Sequence, residues 1–150
     1  MNDPATFSDT STRHALPYLF AGQAQKEFTV NEALAKIDAL LHPVIGGQAA
    51  SEPTSPAPGD CVLVIEPASG IFDGNEGRLA SWDGQQWTFI DPVEGMTVYD
   101  SSTGTRLVFA SGWQEAPSIG DPAGGTTIDL EARGAIVALS GALRDYGIIS

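Results

Sequence analysis

The sequence predicts an α+β chain that is mainly β: a small antiparallel meander or barrel-like β-domain, flanked by an N-terminal helix and a C-terminal oligomerisation helix. Three observations carry this expectation. Residues 29–41 repeat apolar side chains at helical spacing. Residues 60–115 hold short apolar runs broken by Gly, Asn, Asp and Ser turns. Residues 126–146 return to helical spacing behind a Gly124-Gly125 hinge. In 150 residues of 42% hydrophobic content, this fits one modest core with appendages.

Residues 1–45 read as an N-terminal arm and helix. Met1 to Arg13 is polar and rich in Ser, Thr and Asp, a composition that stays disordered unless it docks on a neighbour. Leu16, Tyr18, Leu19 and Phe20 then form an apolar patch that needs a surface to cover it. The helix spans Thr29 to Leu41. Thr29 and Glu32 have capping-box spacing, and Phe28 is placed to staple against Ala33. Val30, Ala33, Leu34, Ile37, Leu40 and Leu41 form one buried stripe, and Pro43 stops the helix. Residues 46–59 read as a Pro-rich spacer, with extended backbone over Ser51 to Pro58.

Residues 60–115 form the antiparallel β-domain of five or six strands. Cys61 to Ile65 is a continuous apolar run, hence a central strand. Segments 79–83 and 87–90 flank Gly84-Gln-Gln86 as a hairpin; 97–99 and 106–110 flank a longer loop ending at Gly104. Ser111-Gly112 makes a tight turn into a short strand from Trp113. Trp82-Asp-Gly84 before Trp87 echoes Ala110-Ser-Gly112 before Trp113, which suggests successive hairpins of similar geometry.

Residues 116–125 read as a linker, and 126–150 as the C-terminal helix. Thr126 and Asp129 can cap it, and Gly147 sits where left-handed backbone ends a helix. Ala132, Ile136, Leu139, Leu143 and Tyr146 alternate spacings of four and three, an a/d seam of two heptads. Gly134, Ala138 and Gly141 line a small-residue stripe. Each internal glycine costs about 1 kcal/mol relative to alanine, which close packing against a partner would offset. Two arrangements fit: a helix folded back on its own β-domain, or a helix packed in an oligomer.

A net charge of −12 disfavours nucleic acid and anionic membrane surfaces as partners. No stretch has the length of a membrane span, and Met1-Asn-Asp-Pro-Ala has no signal-peptide pattern, so assembly in the cytoplasm is expected. The single cysteine, Cys61, reads as a buried small hydrophobe. Asp73, Glu76, Asp83, Asp91, Glu94 and Asp100 each neighbour a Gly, Asn, Pro or Ser, as turn acids do, and read as turn chemistry rather than a paired-carboxylate hydrolase. Asp73 to Gly77 starts like a calcium loop, but Gly77, Arg78 and Gly84 stand where the third ligand, the glycine and the final glutamate belong. No catalytic, cofactor or metal residue is assigned. Trp82, Trp87 and Trp113 fit three roles: core, a stacking platform for sugars, or a subunit interface.

A set of motifs adds a resemblance. Leu16-Pro-Tyr18, Gln23-Ala-Gln-Lys26, Asn31-Glu-Ala-Leu34 and Asp38-Ala-Leu40 open it. Pro58-Gly-Asp60, Trp82-Asp-Gly84 to Trp87, and Pro92-x-x-Gly95 follow, and the likeness covers about 16–114. Together they resemble a domain family of unknown function found on head-spike and fibre proteins of tailed phages, prophages and gene transfer agents. The tail, Gly124 to Asp129 and Leu143 to Gly147, looks like a C-terminal helix shared by such proteins. The resemblance implies a structural, non-enzymatic virion part, with no catalytic set to carry over. Because the sequence ends directly after the helix, a spike base or adaptor is expected rather than a whole receptor-binding fibre. Its expected partners are sister copies in a trimer or vertex ring, capsid or tail proteins, and a fibre component. Leu16, Tyr18, Phe20, Ile136, Leu139, Leu143 and Tyr146 are the candidate interface. The alternative function is a carbohydrate-binding module for bacterial surface polysaccharide, using Trp82, Trp87 and Trp113.

Overall fold

The computed structural model describes residues 14, 16–19, 22, 24–126 and 129–150. Helix α1 (Lys26–Leu41) leads into β1 (Val44–Ile45) and β2 (Gln48–Ala49). Then come β3 (Cys61–Val64), a single 3-10 turn (Gly70–Phe72), β4 (Leu79–Trp82), β5 (Trp87–Ile90), β6 (Thr97–Asp100), β7 (Thr105–Phe109) and β8 (Trp113–Glu115). Helix α2 (Leu130–Asp145) closes the chain. The strands make two four-stranded sheets, ordered β2-β3-β4-β5 and β1-β6-β7-β8. The fold is mainly β with flanking helices, as expected, and it is not a closed barrel.

Both sheets follow one plan. A two-residue edge strand runs parallel to the first strand of a three-strand antiparallel meander. The correspondence extends to single hydrogen bonds. Pro56–Gly59 and Pro92–Gly95 are Pro-x-x-Gly turns whose glycines adopt left-handed backbone, φ 95° and 79°. Asp60 N–H donates to the Ala57 carbonyl and Met96 N–H to that of Val93, each at 2.9 Å. Gly59 N–H then donates across to the Trp82 carbonyl at 2.8 Å, and Gly95 N–H to that of Phe109 at 2.9 Å. The return bonds, Trp82 N–H to Asp60 and Phe109 N–H to Met96, are both 2.8 Å. At the parallel edges, Leu63 and Ile65 donate to Gly47 and Ala49, while Tyr99 and Ser101 donate to Pro43 and Ile45. Each unit also carries a cross-strand aromatic pair: Trp82 with Trp87 at 5.3 Å between centroids, Phe109 with Trp113 at 5.4 Å.

The register identifies Cys61, Val62, Leu63 and Val64 with Thr97, Val98, Tyr99 and Asp100. Cys61 and Leu63 face the core shared by the sheets, together with Ile45, Leu79, Ile90, Met96, Val98 and Leu107. Their counterparts Thr97 and Tyr99 are exposed. Val62 and Val64 face a second cluster with Phe72 and Ala80, although their counterpart Val98 is in the shared core. The units therefore stack in the same sense rather than face to face. Phe72, fully buried, caps the far side of the first unit and meets Trp87 and Phe89 edge-on at 5.3 and 5.8 Å.

Several expectations need correction. Six strands form within 60–115 as expected, but as two three-strand meanders rather than one, and 44–45 and 48–49 add to each an edge strand too short to leave a pattern in sequence. Helix α1 starts at Lys26, three residues before the expected cap, so Thr29 lies inside the helix and Gln25 holds the N-cap in left-handed backbone without a side-chain cap bond. Phe28 is exposed and staples nothing, and no residue of α1 is fully buried. The stripe expected to be buried is largely outward: Val30, Leu34, Ile37 and Leu41 are exposed, and only Ala39 and Leu40 pack on the shared core. Helix α2 starts at Leu130, capped by Asp129, whose Oδ1 accepts from Ala132 N–H at 2.9 Å. The 46–59 stretch contributes β2 to a sheet and sets Pro58 close against Gly84. No described helix is long and apolar enough to cross a membrane.

Candidate functional site

Helix α1 divides into two faces. Ala39 and Leu40 hold its C-terminal half on the core, and Lys36 pairs with Glu32 at 2.9 Å on the flank. Opposite, Val30, Leu34, Ile37 and Leu41 fall at spacings of four, three and four. That is the spacing of a helix–helix seam. Leu34 is 56% exposed and Leu41 67%. The sequence showed the apolar stripe, but its outward direction depends on how little of α1 the sheets cover.

Helix α2 is tied down at its ends and open in between. Arg133 and Arg144 donate to the carbonyls of Gly124 and Ile119, laying the helix along the preceding linker. Its last turn is a Schellman motif: Ile148 N–H bonds the Leu143 carbonyl, Gly147 N–H bonds that of Arg144, and Gly147 has φ 62°. Arg106 then fastens this end to β7, its backbone N–H donating to Gly147 and its guanidinium to Tyr146. Along the helix itself only Ser140 is buried. Of the expected interface residues here, Ile136, Leu139 and Tyr146 are exposed, the last two by 60% and 69%, and Leu143 is half-buried. Space beside Gly134 and Gly141 is open. In the arm, Leu16 is half-buried and Tyr18 exposed, while Phe20 lies outside the described residues.

The three tryptophans are all half-buried. Trp113 acts as a strut: its indole N–H donates to the Gly77 carbonyl at 2.8 Å and its ring packs on Phe109. Trp82 and Trp87 pair across their hairpin, with Trp87 braced from behind by Phe72. Trp87 and Phe89 also line a groove of about 770 Å³ between the hairpin and α1. The sequence carries no sign of that groove, because α1 and β5 are joined there only by tertiary packing.

The acids fasten turns. Asp83 Oδ1 accepts from Gln85 and Gln86 N–H at 2.7 and 2.8 Å, and Asp100 Oδ1 from Ser102 N–H and Oγ at 2.9 and 2.6 Å. Glu94 accepts from Ser111 N–H at 2.8 Å, and Asp91 pairs with Arg78 at 2.7 Å. Among the described residues, no three His, Cys, Asp or Glu side chains gather as a metal site would require. Burial pushes the Cys61 thiol up to about 11, so at neutral pH it is a protonated core side chain.

What the geometry defines is a duplicated β-body bearing two outward helices. Residues 30–114, more than half of the chain, match the family described as "protein of unknown function (DUF2793)", and the chain belongs to that family. No curated protein matches it.

Proposed function

We propose that the chain is a structural subunit of a phage-like particle, a virion or gene transfer agent, acting as a head-spike or fibre base or adaptor that presents host-attachment components. One observation carries the assembly part: both helices turn apolar seams to solvent, α1 with no fully buried residue and α2 with only Ser140. Burying a Leu, Ile or Val side chain is worth about 1.5–3 kcal/mol. Several such side chains per copy offset the cost of association, and closed symmetry, a trimer or ring, satisfies every seam at once. The particle part is supported by the motifs of the arm and α1, Gln23 to Lys26 and Asn31 to Leu34, which resemble those of spike and fibre proteins.

Sedimentation and native mass spectrometry of the full chain test the assembly. A trimer or larger ring is expected. Leu34→Glu combined with Ile37→Glu, or Leu139→Glu alone, is expected to shift it towards monomer while leaving the melting of the β-body unchanged. A wild-type chain that stays monomeric, both alone and when mixed with purified particles, would end the proposal.

A further inference from the structure

We infer that the groove between α1 and the β4–β5 hairpin binds a neutral oligosaccharide. The inference stands apart from the particle reading, since it uses the flank of α1 facing the hairpin and not the outward seam.

The groove combines what sugar recognition requires. Its volume, about 770 Å³, lies in the range of about 300–1,000 Å³ usual for small-molecule sites. Trp87 and Phe89 supply an apolar wall suited to the C–H face of a pyranose ring. Both rings are held edge-on by Phe72, so little freedom is lost when a ligand meets them. Asn31 on α1 and Gln85 and Gln86 at the hairpin tip bring side-chain amides to the rim. Among the described residues, those amides have no hydrogen-bond partner. Each amide donates and accepts, as a sugar hydroxyl does. The tip itself is rigid, because Asp83 takes both backbone N–H groups of Gln85 and Gln86.

Charge selects the class of glycan. The one cation lining the groove, Lys36, is already paired with Glu32 at 2.9 Å. Asp83 also lines it, and the chain carries −12 overall, so an anionic polymer is repelled. The second unit offers no equivalent. Its matching turn is Ser111-Gly112, without amides, and the indole N–H of Trp113 is committed to Gly77.

The test titrates the full chain with neutral tetrasaccharides built from glucose, mannose or N-acetylglucosamine, and with a galacturonate tetramer as the anionic control. Tryptophan fluorescence and the Trp87 indole N–H resonance report occupancy. At least one neutral tetramer is expected to bind saturably and shift Trp87. Asn31→Ala and Gln86→Ala, both at exposed positions, are each expected to weaken binding about tenfold, the equivalent of one lost hydrogen bond, at unchanged melting temperature. Absence of binding by every neutral tetramer, binding untouched by both variants, or preference for galacturonate overturns the inference. None of these results alters the oligomer measurement, so the two proposals fail separately.

Discussion

The first β-unit, β2 to β5, buries both faces of its sheet, whereas the second, β1 with β6 to β8, buries one. The backbone plan is common to both, down to the glycine turn that opens each meander and the aromatic pair that closes it. What differs is the link between the first two meander strands. In the first unit it runs from Ile65 to Arg78 and carries Phe72 back over the sheet. In the second it is the short turn 101–104, and the outer face keeps Tyr99, Arg106 and Val108 exposed. A shared hydrogen-bond scaffold therefore leaves the fate of each face to the loops.

Removing the cap gives the largest expected effect. Phe72→Ala should cost about 3–5 kcal/mol in chemical denaturation, the range for emptying a buried aromatic site. Hydrogen exchange should then show β3 to β5 losing protection before β6 to β8. Equal loss in both sheets would mean that Phe72 supports the whole core rather than one unit.

Next comes the contrast between Cys61 and its counterpart Thr97. The folded chain holds the Cys61 proton up to about pH 11, while the unfolded chain releases it near the ordinary value of 9.0. The Cys61 contribution to folding stability is thus fully present below pH 9 and is lost as pH rises through the window to 11, by up to about 2–3 kcal/mol. Cys61→Ala should remove this pH dependence in denaturation curves taken across that range. A thiol reagent should spare Cys61 in the native state and modify the introduced thiol of Thr97→Cys, because position 97 faces solvent.

The smallest effect tests the equivalence itself. Gly59 and Gly95 both have left-handed φ and open space where a Cβ would go. Replacing either by Ala should cost the conformational penalty alone, about 1–2 kcal/mol. Similar midpoint shifts for the two variants are expected; a large cost at only one would show that the turns are not matched.

The β-strands were legible in sequence because each is a short apolar run ended by a turn residue. Cys61 to Val64, Leu79 to Trp82, Trp87 to Ile90 and Trp113 all fall where alternation and glycines placed them. The hairpin echo around Gly84 and Gly112 is visible too, and the Pro-x-x-Gly turns at 56–59 and 92–95 extend it. The edge strands 44–45 and 48–49 were not legible, since two residues carry no period and parallel pairing depends on partners far along the chain. The start of α1 was misplaced because Thr29 and Glu32 have the spacing of a cap, yet Lys26 and Glu27 already continue the helix. The α1–hairpin groove arises from elements nearly forty residues apart, α1 ending at Leu41 and β4 beginning at Leu79, beyond the reach of any local motif.

Because residues 43–49 lend an edge to each sheet, scission of the chain would be lopsided. A break near residue 91 leaves the N-terminal fragment with an orphan β1, and the C-terminal fragment with the Tyr99 and Ser101 amides missing the acceptors at Pro43 and Ile45. The C-terminal fragment lacks the edge strand that the N-terminal fragment carries unpaired, so mixing the two is expected to restore the β1–β6 pairing, with return of native tryptophan fluorescence as the check.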